Sequence, residues 1–209
     1  MSQQQSIIKG DTVQKLGSLA FIIGGVLLFV IATLDILRDG GGSTQRVVAG
    51  FFVPVGIWGV MLGTAAIHRS ITAAGAGWAR LGFYLIIIGT ALWTVHMSLR
   101  AGIARAAAEG ITDGVAAIDV MIHQVVAMAY LTEWLGIFFL GIGMVRSTVY
   151  PKGLGWTGLL LGILTFAIGG VPLFFLEKGS FAEILGPVLA GLTTIWALVV
   201  GIWIARRAW

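Results

Sequence analysis

Four side chains capable of chemistry interrupt one long apolar stretch, "AIDVMIHQVVAMAYLTEWLGIFFLG" at residues 117–141: Asp119, His123, Tyr130 and Glu133. Their separations of four, seven and three place an acid, an imidazole, a phenol and a second acid on one face of a helix. Asp35, His96 and Arg100 join them once depth is considered. Counting about twenty residues outward from Lys15, Arg80 and Arg146, the length that crosses ~30 Å of hydrocarbon, ends near Asp35, Arg100 and Gln124. His96 then lies one turn inside, and His123 and Asp119 fall at or just beyond the same boundary. Asp35, His96, Arg100, Asp119 and His123 therefore share the outer third of a bundle, with Tyr130 and Glu133 deeper. We expect these seven to line a ligand or cofactor pocket.

Each has an ordinary explanation as well. Asp35 precedes Arg38 by three, a surface ion pair on a helix, and Asp119 with His123 forms a four-residue pair of the same kind. His96 can bond a backbone carbonyl, and Tyr130 can be a core aromatic. Glu133 is the hardest to explain away. A carboxylate near the bilayer centre costs several kcal/mol, less if it is protonated, paired or hydrated. As a protonated acid it would bond across to Thr90, Thr165 or Thr194.

Several chemistries fit this set. Asp35, His96, Asp119 and His123 would make a two-His, two-carboxylate site for zinc or iron, and with zinc a membrane hydrolase. His96 and His123, on consecutive helices, could hold a bis-histidine haem b with Arg100 at a propionate. Neither cofactor is favoured. Glu133 and His123 could relay protons in a carrier. The polar stripe could instead pack against a partner, a lipid headgroup or a small ligand in a non-enzymatic binding or accessory subunit of a membrane assembly, which is the reading the sequence favours. The chain has no cysteine, excluding iron–sulfur ligation, disulfides and a thiolate nucleophile. No phosphate loop or GxSxG elbow occurs, and no lysine lies within a span to form a retinal Schiff base.

The elements that must position these residues are plain. Of 209 residues 58% are hydrophobic and 11% charged, against about 25% charge in an ordinary soluble domain. Six apolar segments, roughly 16–37, 47–67, 79–99, 117–145, 154–176 and 183–205, are each long enough to cross a bilayer. The expected architecture is an all-α integral membrane bundle of six transmembrane helices. It comprises a cytoplasmic segment 1–15, a single transmembrane domain 16–205 and a cytoplasmic tail 206–209. Only the fourth segment exceeds the bilayer by much, and "AGIARAAAE" between the third and fourth suits a separate short helix on the membrane surface. The first apolar run lacks a cleavage site and reads as a retained span.

With the N-terminus inside, eight of the thirteen Lys and Arg residues fall on the cytoplasmic side and five outside, which places both termini in the cytoplasm. "GVMLG" (59–63) and "GLLLG" (158–162) permit close helix packing within the bundle or between copies in a homodimer. Pro54 and Pro172 should kink or break spans two and five. Expected partners are the lipid bilayer and a membrane protein or second copy. Without a basic run interleaved with aromatics, nucleic acid is not among them.

"VYPKGLGWTGLLLGILTFAIGG" (149–170) and the closing "ALVVGIWIARR" (197–207) resemble the C-terminal third of a group of uncharacterised bacterial multi-span proteins. In that group a proline and Leu-Gly-Trp open a glycine-rich span. The resemblance implies a six-helix protein of the bacterial inner (plasma) membrane and implies no site. Here Lys152-Gly153 stands where the group has a bulky residue before Leu-Gly-Trp.

Overall fold

The chain is a multi-pass membrane protein built entirely of helices among the described residues, with six of them long and apolar enough to span a bilayer. The computed structural model describes residues 11–37, 43–111, 113–175 and 181–209, leaving aside the side chains of 32–37, 43–50, 73, 174–175, 181–184 and 187. Helices α1 (Thr12–Leu37), α2 (Ser43–Ser70), α3 (Ala76–Ala108) and α4 (Val115–Arg146) form the first four spans. The fifth is α5 (Lys152–Leu164), continued by a π-helical segment Thr165–Gly170 and the short α6 (Pro172–Phe175). Helix α7 (Phe181–Ala208) is the sixth.

Each span packs on the next in sequence, and α7 returns to pack on α1, so the six helices close into a ring. Small residues set the spacing. A methyl group at Gly59 would lie 2.9 Å from the Gly24 Cα, and one at Gly82 2.5 Å from the Gly136 carbonyl oxygen. Gly162 meets the Phe138 backbone and Gly158 the Trp196 ring. The "GVMLG" and "GLLLG" pairs are therefore used inside the bundle, where backbones meet without side chains between them. The ring is filled along its axis by Phe21, Ile67, Ile86, Trp134, Ile137, Leu140, Met144, Trp196, Val200 and Ile204.

One end of the ring carries Lys15, Arg69, Arg80, Arg146, Lys152, Arg206 and Arg207. Their aromatic neighbours lie where indoles favour a membrane interface: Lys15 over Trp209, Arg146 over Trp78 and Arg207 over Trp203. Hydrogen bonds tie the helix ends together there. Gln14 Nε2 donates to the Ala66 carbonyl at 2.7 Å, and the Ser70 and Tyr150 hydroxyls share a hydrogen bond of 2.6 Å. Burial pushes the Tyr150 phenol well above the ordinary tyrosine range, over the smaller opposing pulls of Ser70 and the Arg207 charge.

The opposite end differs from expectation in one respect. "AGIARAAAE" is not a separate surface helix. It continues α3 without a break, because nothing between Ser98 and Ala108 caps or terminates a helix and its alanines favour one. The stop comes at Glu109–Gly110. Gly110 takes a left-handed φ of 78°, the Ile111 N–H reaches the Ala106 carbonyl at 2.9 Å and the Gly110 N–H reaches that of Ala107, a Schellman closure. Both α3 and α4, at 33 and 32 residues, are thus longer than a ~30 Å hydrocarbon core requires. Their paired ends form a hairpin that projects past it.

Pro54 is accommodated within a continuous α2, whereas Pro172 coincides with a break in the fifth span. Lacking an N–H and crowding the preceding turn, it follows a widened turn in which Val171 N–H bonds the Phe166 carbonyl five residues back.

Candidate functional site

Glu133 is the only buried carboxyl among the described residues, 6% exposed. It sits midway along α4, at a point where α3 comes unusually close. Gly89 faces it, and a methyl group there would lie 2.7 Å from the Glu133 Cβ. The Trp93 indole, one turn further along α3, is the side chain placed to donate toward the carboxyl. On the ring axis beside Glu133 is a cavity of about 40 Å³, lined by residues of five spans. Its surface is almost wholly apolar, with Leu28, Val60, Ile86 and Ile137 among the residues around it, and Glu133, Thr64, Thr193 and Thr194 stand at its edge.

The other polar residues of the α4 stripe lie between Glu133 and the hairpin end. Tyr130 packs between Trp93 and Trp134, ring centroids 5.2 and 5.9 Å away. His96 is buried, edge-on to Trp93. It donates Nδ1–H to the Ile122 carbonyl at 3.3 Å, which fixes its tautomer and sets it against the turn of α4 that carries His123. Half-buried His123 donates Nε2–H to the Leu173 carbonyl at 3.1 Å. That carbonyl is available because α6 ends within a few residues and its last turn has no helical donors. The two imidazoles are thus positioned by separate carbonyls. Asp119 and Arg100 are exposed near the hairpin end. The side chain of Asp35 lies outside the described residues, and with it one member of the four-residue metal set. No trio of His, Asp or Glu side chains gathers at metal-binding range among the described residues.

Beyond Glu133 toward the basic end, the axis is largely apolar, with buried Thr64 and Ser18 the polar side chains beside it. Ile137, Leu140 and Met144 on α4 are almost fully buried and pack with Phe21, Ile67, Val200 and Ile204. From Glu133 to Met144 the helix runs about 16 Å.

No protein-family model, curated protein or solved structure matches the chain.

The structure brings forward residues that the sequence alone did not single out. Trp93 neighbours Glu133 and packs against both His96 and Tyr130. Trp134 has a buried indole N–H without a hydrogen-bond partner, as do the buried hydroxyls of Thr90 and Thr165. Of the three threonines considered as partners for Glu133, Thr194 lines its cavity. The legible signal for Trp93 was its place on the α3 face that carries Ile86, Gly89, Thr90 and His96, which is the buried face.

Proposed function

We propose that this chain is a non-enzymatic membrane binding protein, serving as an accessory subunit, whose polar pocket opens at the α3–α4 hairpin end and terminates at Glu133. The observation that carries this reading is the asymmetry of the ring axis around that acid. On the hairpin side, His123, His96 and Tyr130 succeed one another along α3 and α4 between the hairpin and Glu133. On the other side, Ile137, Leu140 and Met144 close the path. A polar line that ends at a buried acid suits binding, because a conduit needs a way out. The projecting hairpin offers a membrane partner a surface at the mouth. With seven cations gathered at the closed end, the positive-inside rule places that end, and both termini, in the cytoplasm of a bacterial inner membrane, as the C-terminal resemblance implies. The mouth then faces outward.

A proton-coupled carrier is the second reading, favoured by one observation: the fifth span is broken beside Tyr130, where Gly169 and Gly170 pack. Broken spans at membrane depth recur where transporters move. Vesicles reconstituted with the protein in choline salts, free of alkali cations, separate the two. The binding reading expects an imposed proton gradient to decay at the rate seen with Glu133→Gln. A faster decay that Glu133→Gln abolishes overturns it in favour of the carrier.

A further inference from the structure

Most of the cations at the basic end are already engaged with their own chain. Lys15, Arg146 and Arg207 lie over indole rings. Arg207 also donates to the Val149 carbonyl at 3.4 Å, and Lys152 donates to the Ser147 carbonyl at 2.9 Å. Arg69, at the end of α2, and Arg80, in the second turn of α3, are not so engaged. Both are exposed, and among the described residues neither has a hydrogen bond, an ion pair or a ring beneath it. The one side-chain carboxylate described at this end, Asp11, accepts the Val13 N–H at the start of α1. The connection at 71–75 is too short to carry the two arginines apart, and both guanidinium charges act on one imidazole, that of His68. Like charges held together without a counter-charge repel, and an anion between them removes the repulsion.

An apolar seam leads from this pair into the membrane. Arg80, Phe83, Ile87 and Thr94 fall on one face of α3, by separations of three, four and seven. Two contacts turn that face toward α2. His68 stacks on Phe83 with ring centroids 5.3 Å apart, and Trp58 Nε1 donates to Thr94 Oγ1 at 2.9 Å. On α2, Trp58, Leu62 and Arg69 follow one another at separations of four and seven. Trp58, Leu62 and Ile87 are exposed, so the bundle leaves an apolar track beside α2 and α3 that runs about 16 Å from the level of Arg69 to that of Trp58.

We propose that the α2–α3 seam holds one anionic phospholipid, its phosphate between Arg69 and Arg80 and an acyl chain along Trp58, Leu62 and Ile87. The two halves of the seam together select this ligand. A dissolved anion would engage the guanidiniums and leave the apolar track unused. A zwitterionic lipid would bring its own cation to a place that already holds two. Basic pockets between transmembrane helices suit anionic headgroups for the same reason, and the planar guanidinium matches a phosphate with two parallel hydrogen bonds. The site lies at the opposite end of the ring from the hairpin and stands independently of the Glu133 pocket.

The test is native mass spectrometry of the full-length protein in mild detergent, titrated with phosphatidylglycerol or with phosphatidylcholine of the same acyl chains. One phosphatidylglycerol should be retained in preference to phosphatidylcholine. Arg69→Gln and Arg80→Gln should each weaken that retention about fivefold. Arg206→Gln removes the same charge from an exposed site on α7 and should leave retention unchanged. Inorganic phosphate at millimolar concentration should not displace the lipid. Equal retention of the two lipids overturns the inference. So does a loss with Arg206→Gln as large as with Arg69→Gln, which would mean diffuse attraction to the whole basic end. Displacement by inorganic phosphate overturns it in favour of a soluble anion.

Discussion

Adding one methyl group at Gly89 should push α3 away from Glu133 and destabilise the fold. An alanine Cβ at this position would lie 2.7 Å from the Glu133 Cβ, 2.8 Å from its backbone nitrogen and 2.9 Å from its Cα. Ordinary carbon contacts begin near 3.5 Å, so the two helices must separate locally by something under about 1 Å. Two of those atoms are backbone and cannot rotate away. Overpacking of this kind costs about 1–3 kcal/mol, and the rigidity of the contact argues for the upper half of that range. Replacing glycine by alanine within a helix returns about 1 kcal/mol, leaving a net loss of about 1–2 kcal/mol. Gly102 is the matched control, because it lies on the same helix with nothing within 4 Å of an added methyl group. Gly102→Ala should stabilise by up to about 1 kcal/mol. At about 2–4 °C per kcal/mol for a chain of this length, thermal unfolding in one detergent should separate the two variants by roughly 2–12 °C. A Gly89→Ala protein as stable as Gly102→Ala would refute the close approach of α3 to Glu133.

Other outcomes follow from the same geometry. Gly158→Ala places a methyl group 2.6 Å from the Trp196 ring whereas Gly153→Ala meets nothing, so only the former should lower Tm. Tyr150→Phe removes the hydrogen bond to Ser70 and should cost about 1 kcal/mol near neutral pH. Because the Tyr150 pKa is raised in the folded protein, its contribution is fully present below the unfolded tyrosine pKa of about 10 and is lost as pH rises beyond it. An alkaline stability titration should therefore fall less steeply for Tyr150→Phe than for the native protein. Glu109→Gln breaks an ion pair with Arg105 whose side chains are largely exposed, and unfolding should shift little, if at all.

Hydropathy made the six spans legible because the bilayer demands about twenty apolar residues from each, whatever their partners. The basic end was equally legible, since charge is counted from sequence. The α3 extension was not. Residues 99–108 hold too few large apolar residues to read as a span, yet the helix continues because no residue there stops it, and the stop lies in the Gly110 turn. The stripe of Asp119, His123, Tyr130 and Glu133 followed from helical spacing alone. What surrounds Glu133 did not, because Thr64, Thr193 and Thr194 come beside its cavity only once the spans close into a ring. Helix order within a bundle leaves no periodic trace in a single sequence. Gly89 illustrates the same limit: among 31 glycines nothing marks it until α4 lies across it.

The central claim, a polar pocket that enters from the hairpin end and stops at Glu133, is tested most directly by single-cysteine accessibility along α4. The native chain has no cysteine to contribute background. A small impermeant thiosulfonate is added to sealed vesicles from one side or the other. The account predicts that Asp119→Cys, His123→Cys and Tyr130→Cys react from the hairpin side alone, and that Ile137→Cys, Leu140→Cys and Met144→Cys react from neither. Reaction at Leu140→Cys or Met144→Cys from the basic side, or silence at His123→Cys and Tyr130→Cys, would contradict it.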